Sequence, residues 1–96
     1  MKKCILVKRR MKKVVADITY KVKEMIQRIY NFPKEITIKE AVVYQDYDNS
    51  YWVVITYIMD DVEYQNKQRV SFDLTETIRD ILFGIADFYE RMHVIK

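Results

Sequence analysis

The chain has 96 residues, half of them apolar and a third charged, with one glycine, one proline and one cysteine. That is enough for one hydrophobic core and one domain over residues 1–96. It excludes a flexible linker or disordered tail by composition, an internal disulfide, and any zinc site of cysteine spacing.

The net charge of +3 is unevenly placed. The first thirteen residues hold Lys2, Lys3, Lys8, Arg9, Arg10, Lys12 and Lys13 with no acid, and the rest hold ten Lys/Arg against fourteen Asp/Glu. Residues 1–10 read as a basic amino-terminal segment, either flexible or adding a strand through its apolar tetrad Cys4-Ile5-Leu6-Val7. The tetrad is too short for a signal-peptide core and no small-residue cleavage site follows it. With no apolar run of membrane-span length and a lone cysteine, the expected setting is cytoplasmic, with no membrane partner.

From Met11 the apolar residues Met11, Val14, Val15, Ile18, Val22, Met25, Ile26 and Ile29 recur at three-four spacing, which predicts one helix of about five turns. Its polar side offers Asp17/Lys21 and Glu24/Arg28 as i,i+4 pairs, and Asn31 with Pro33 ends it. Residues 36–45, 51–59 and 62–72 are β-branched and aromatic, the composition of three strands. Asp48-Asn49 and Asp60-Asp61 are the expected two-residue turns between them. Asp73 followed by Glu76 marks a helix start, and Leu74, Ile78, Ile81, Leu82, Ile85, Phe88, Tyr89 and Met92 form its apolar face.

The fold expected is α+β: a two-layer α-β-β-β-α arrangement, a three-stranded antiparallel meander with both helices on one face. Two-residue turns would set Tyr57 opposite Tyr64, Ile55 opposite Asn66 and Val53 opposite Gln68 in the second hairpin. In the first they would set Val42 opposite Ile55 and Tyr44 opposite Val53. Alternation then assigns Ile38, Val42, Tyr44, Tyr51, Val53, Ile55, Tyr57, Met59, Val62, Tyr64, Val70 and Phe72 to the core. The other face receives Thr37, Lys39, Ala41, Val43, Gln45, Trp52, Val54, Thr56, Ile58, Glu63, Gln65, Lys67 and Arg69. Its middle is apolar, which a one-sided antiparallel sheet does not require.

The element order, and only the order, resembles that of the double-stranded RNA-binding domain. That family opens its second helix with a basic cluster, whereas this one opens Asp73-Leu74-Thr75-Glu76. Its Gly-Pro-His-type loop is replaced by Asp46-Tyr47-Asp48-Asn49-Ser50. The chain is therefore not assigned to it.

No residue set points to catalysis. The carboxylates at Asp46/Asp48 and at Asp60/Asp61/Glu63 belong to successive turns at opposite ends of the sheet, and suit turn formation. His93 is the one histidine, near the carboxyl terminus, and Cys4 the one thiol, near the other. Neither a cofactor nor a metal is expected, and the protein reads as a binding module, not an enzyme. Its basic residues Lys2, Lys3, Lys8, Arg9, Arg10, Lys12 and Lys13, joined by Lys39, Lys67 and Arg69 on the sheet, would neutralise phosphates of a nucleic acid, DNA or RNA. The alternative is a protein partner or a homodimer docked on Val43, Trp52, Val54 and Ile58, since tryptophan is an enriched interface anchor. The scarcity of Ala and Gly beside abundant Ile, Lys and Tyr is shared by many small phage and viral proteins. A stoichiometric inhibitor of a host complex belongs to that alternative.

Overall fold

The computed structural model describes residues 13–94. It contains a four-stranded antiparallel sheet in the order β1-β2-β3-β4 and two helices: β1 (Lys13–Asp17), α1 (Thr19–Gln27), β2 (Thr37–Gln45), β3 (Tyr51–Met59), β4 (Val62–Arg69) and α2 (Leu74–Val94). The tetrad Cys4 to Val7, expected as an added strand, lies outside the described residues.

The helix expected from Met11 is replaced by a strand and a shorter helix. Lys-Val-Val-Ala-Asp pairs with β2 instead of coiling, as its β-branched centre favours. Asp17 then starts α1: its Oδ1 accepts hydrogen bonds from the Thr19 amide at 3.0 Å and the Thr19 hydroxyl at 2.7 Å. These bonds hold the Asp17 carboxyl below the ordinary aspartate range. The Thr19 hydroxyl also accepts from the Ala41 amide at 2.9 Å, tying the helix start to β2. Asp17 thus closes an Asx turn just before the N-cap residue Ile18 and is not the i,i+4 partner of Lys21 within a helix. The second helix begins after Asp73 as expected, with the Asp73 carbonyl accepting from the Thr77 amide at 3.0 Å.

The second hairpin has the expected register. Met59 faces Val62, Tyr57 faces Tyr64, Ile55 faces Asn66 and Val53 faces Gln68. Asp60 and Asp61 both have positive φ, 55° and 65°, the conformation a type I′ turn demands.

The first hairpin is one residue out from expectation. Val43, not Tyr44, faces Val53, and Ala41, not Val42, faces Ile55. The cause is its turn. The Asn49 amide donates to the Asp46 carbonyl at 3.0 Å, the Asp46 amide donates to the Ser50 carbonyl at 2.8 Å, and Asn49 has φ 69°. This is a three-residue connection ending in a left-handed residue, which asparagine tolerates. One extra turn residue moves every β2 side chain to the opposite face. A bulge between Ile38 and Glu40 undoes the change and keeps Ile38 in the core.

Buried side chains from both helices and the sheet form one core cluster. It joins Val22 of α1, Ile78, Ile81, Leu82 and Ile85 of α2, and Ile38, Ala41, Val43, Val53, Ile55, Tyr57 and Met59 of the sheet. All seven sheet residues lie on one face by register. Tyr64 extends it through tilted ring contacts with Tyr57 at 5.5 Å and Phe88 at 5.3 Å. Several expected core members fall outside it. Val42 and Tyr44 occupy the other face, Tyr51, Val62 and Met92 are exposed, and Phe72, beyond the end of β4, is 91% exposed.

The corrected register predicts opposite outcomes for neighbouring valines. Val43→Lys buries an unpaired ammonium and should cost about 3 kcal/mol or more, whereas Val42→Lys should cost about 1 kcal/mol or less. Urea unfolding of the two variants measures the difference. Equal losses would contradict this register.

Candidate functional site

The sheet face opposite the core cluster is built by residues that pair across four strands. Val14 on β1 faces Tyr44 on β2, Tyr44 faces Trp52 on β3, and Trp52 faces Arg69 on β4. One step along, Val42 faces Val54 and Val54 faces Lys67. Beyond these, Glu40, Thr56 and Gln65 align. Val14, Glu40, Val42, Tyr44, Val54, Thr56, Gln65 and Lys67 line a shallow depression of about 190 Å³. No residue of this face belongs to the core cluster.

Trp52 is half-buried and fixed in orientation. Its Nε1 donates to the Ser50 hydroxyl at 2.9 Å, and that hydroxyl donates to Asp48 Oδ1 at 2.6 Å. The Ser50 amide also donates to Asp48 Oδ1, at 3.1 Å. The Ser50 hydroxyl and amide hold the Asp48 carboxyl below its ordinary range, aided by the positive charge of Arg69. The polar end of the indole is therefore satisfied by the turn, and its apolar body is left for the sheet surface. Tyr44, beside it in the ladder, is 5% exposed, and burial raises its hydroxyl above the usual tyrosine value.

The charges on this face are mixed. Lys39, the residue at the β2 bulge, donates to Glu63 Oε1 at 2.8 Å across the strand between them. Glu63 raises the Lys39 ammonium above its ordinary value. Lys67 and Arg69 are exposed and take part in none of the ion pairs among the described residues, and Glu40 is exposed on the same face. Lys13 is exposed on β1, while Lys2, Lys3, Lys8, Arg9, Arg10 and Lys12 lie outside the described residues.

Of the expected interface residues, the structure brings together Trp52, Val54 and Ile58, all half-buried on this face. Val43 is a correction: it is 7% exposed within the core cluster, because the three-residue turn and not a two-residue one closes its hairpin. Val42 and Tyr44 take the places assigned to Val43 and Gln45. Asn49, the residue that tolerates a left-handed turn, was the sequence signal that could have shown it.

A second cluster joins α2 to the β3–β4 turn. His93 sits between the Tyr89 carbonyl, 2.8 Å from Nδ1, and Asp60 Oδ2, 3.0 Å from Nε2. The His93 ring also stacks on Tyr89 with centroids 4.1 Å apart. Burial, followed by a hydrogen bond with Glu35, raises the Tyr89 hydroxyl. His93 thus ties the last turn of α2 to the β3–β4 turn. Among the described residues no group of three or more His, Cys, Asp and Glu side chains is arranged to hold a metal ion. None of the described helices is long and apolar enough to cross a membrane.

No protein-family model matches the chain, and neither the curated proteins nor the solved structures contain a match to it.

Trp52 is the chain's one tryptophan, so its fluorescence reports the Ser50 and Asp48 contacts. The Asp48 carboxyl is depressed in the folded state, so its contribution stands above the ordinary value of 3.8 and is lost as pH falls through the lower folded value. Wild-type emission should hold its wavelength on acidification past 3.8 and shift only below it. Ser50→Ala should shift the emission at neutral pH and raise quenching by acrylamide. An unchanged spectrum in Ser50→Ala would contradict the contact.

Proposed function

We propose that the protein is a non-catalytic docking module that binds a protein partner through the sheet face bearing Trp52. In this reading both helices cover the same face of the sheet and leave the other to a partner. The observation that carries it is the apolar middle of that face: Trp52, Val54 and Val42 side by side, outside the core cluster. A fixed tryptophan within aliphatic neighbours and a mixed-charge border is the composition of a protein interface, with an apolar centre and polar rim. The charges on the face nearly balance, so it offers a polyanion little net attraction. An adaptor or a stoichiometric inhibitor is the class of protein this describes.

The second reading is nucleic-acid binding by the amino-terminal basic block. Two observations favour it: the seven basic residues of the first thirteen lead directly into β1, and Lys67 and Arg69 are exposed near Trp52. Affinity of that kind falls steeply with salt.

One titration separates them. Trp52 emission is followed while a 20-nucleotide single strand or duplex of DNA or RNA is added, at about 50 and 200 mM salt. The docking reading expects no saturable change at the higher salt. It also expects a photo-crosslinker at position 54 to yield a defined adduct in cells, whose purified protein rebinds wild type and not Trp52→Asp. Saturable quenching that is lost on deleting residues 1–10, with no adduct from position 54, would replace this reading by the second.

A further inference from the structure

The two edges of the sheet differ. β1 has five residues and a register irregularity between Val14 and Ala16, features that blunt an edge against pairing. β4 has eight residues, pairs with β3 without a bulge, contains no proline, and has no strand on its outer side among the described residues. Such an edge is a template for another strand unless its side chains forbid it.

The type I′ turn fixes which backbone groups point outward. Met59 and Val62 flank the turn and form its closing hydrogen-bonded pair, so Val62, Tyr64, Asn66 and Gln68 spend their N–H and C=O groups on β3. The alternate residues Glu63, Gln65, Lys67 and Arg69 turn theirs to the outside. Their side chains share the Trp52 face, and in chain order they read acid, neutral, base, base.

We propose that β4 pairs antiparallel with β4 of a second copy of this chain, about a two-fold axis at Gln65. In that register Glu63 of each copy lies opposite Lys67 of the other, and Gln65 lies opposite itself. The outward-turned groups then meet as hydrogen-bonded pairs, each exchanging both N–H···O bonds. Asp61, in the turn two residues before Glu63, and Arg69 continue the same complementarity at the two ends. A lysine on an edge ordinarily discourages pairing. Here it meets an acid in the one arrangement that two identical strands can share. Glu63 binds Lys39 through Oε1, which leaves its other oxygen for the incoming ammonium.

Gly84 is a second, independent indication. It is exposed on α2 and lines an open cleft beside the β4 edge with Tyr64, Asn66, Phe88 and Arg91. A Cβ there would meet nothing within 4 Å, and its φ is not positive, so nothing among the described residues requires glycine. Glycine within an exposed helix lowers stability relative to alanine. Continuing the sheet through β4 sets the two copies of α2 alongside each other on the core side, where a missing Cβ permits close approach.

This association differs from the docking reading: it joins the outer backbone of β4 and the Glu63 and Lys67 side chains at the border of the Trp52 face, and needs neither Trp52 nor its aliphatic neighbours. Sedimentation equilibrium of the full chain at low salt tests it, with circular dichroism to confirm that each variant is folded. Wild type should dimerise. Glu63→Lys and Lys67→Glu alone should each weaken the dimer about tenfold, because like charges then face each other twice. The double variant Glu63→Lys/Lys67→Glu should regain wild-type association, and mixing the two single variants should give a heterodimer. Trp52→Asp should leave the dimer intact. A chain that is monomeric at all concentrations, or a dimer indifferent to these swaps, overturns the proposal. So does a dimer lost in Trp52→Asp alone, which would move self-association to the Trp52 face.

Discussion

The structure depends on β3, a nine-residue strand without a single charge, held between β2 and β4. Val53, Ile55, Tyr57 and Met59 of this strand are at most 1% exposed, and burial of such side chains stabilises by about 1.5–3 kcal/mol each. These residues fix the helix-facing core and with it the positions of Val22 on α1 and Ile78 to Ile85 on α2. The same strand sends Trp52, Val54 and Ile58 to the opposite side. An ordinary one-sided sheet would carry polar residues there. The functional reading follows from that excess of apolar surface on one strand.

Two single-residue devices decide what accompanies it. The left-handed Asn49 lengthens the first turn by a residue, so Val42 and Tyr44 join Trp52 and Val54, while Ala41 and Val43 enter the core. The bulge at Lys39 reverses the alternation once more, returns Ile38 to the core, and brings the Lys39 ammonium to Glu63. The turn that sets the register also holds the indole through Ser50 and Asp48. Register and site geometry are consequences of the same five residues, 46–50.

How much of this was legible in the sequence follows from how local each signal is. β3, β4 and the Asp60-Asp61 turn were readable because alternation and a two-residue turn fix a hairpin register within a few residues. α2 was readable from Asp73 and a continuous three-four apolar spacing. The first hairpin was half-readable: its strands are evident, but a two-residue and a three-residue turn compete over the same Asp-Asn stretch, and a bulge has no composition of its own. The strand β1 was hidden, because Val14 and Val15 satisfy helical spacing with Ile18 equally well, and only pairing with β2 makes Lys13–Asp17 extended. At the candidate site, Trp52, Val54 and Ile58 were found by strand parity, while Tyr44 and Val42 were missed and Val43 misplaced by the one-residue slip. The edge complementarity of β4 is written in the sequence as Glu-Tyr-Gln-Asn-Lys, but it has meaning only once β4 is known to be a border of the sheet.

The proposed division of the sheet into a face packed against the helices and a face left to a partner is tested most directly by methyl NMR with a soluble gadolinium chelate. Paramagnetic relaxation of valine methyls reads their approach to solvent residue by residue. The account predicts strong relaxation at Val42 and Val54 and weak relaxation at their strand neighbours Val43 and Val53. Equal protection of all four valines in the isolated protein would contradict it.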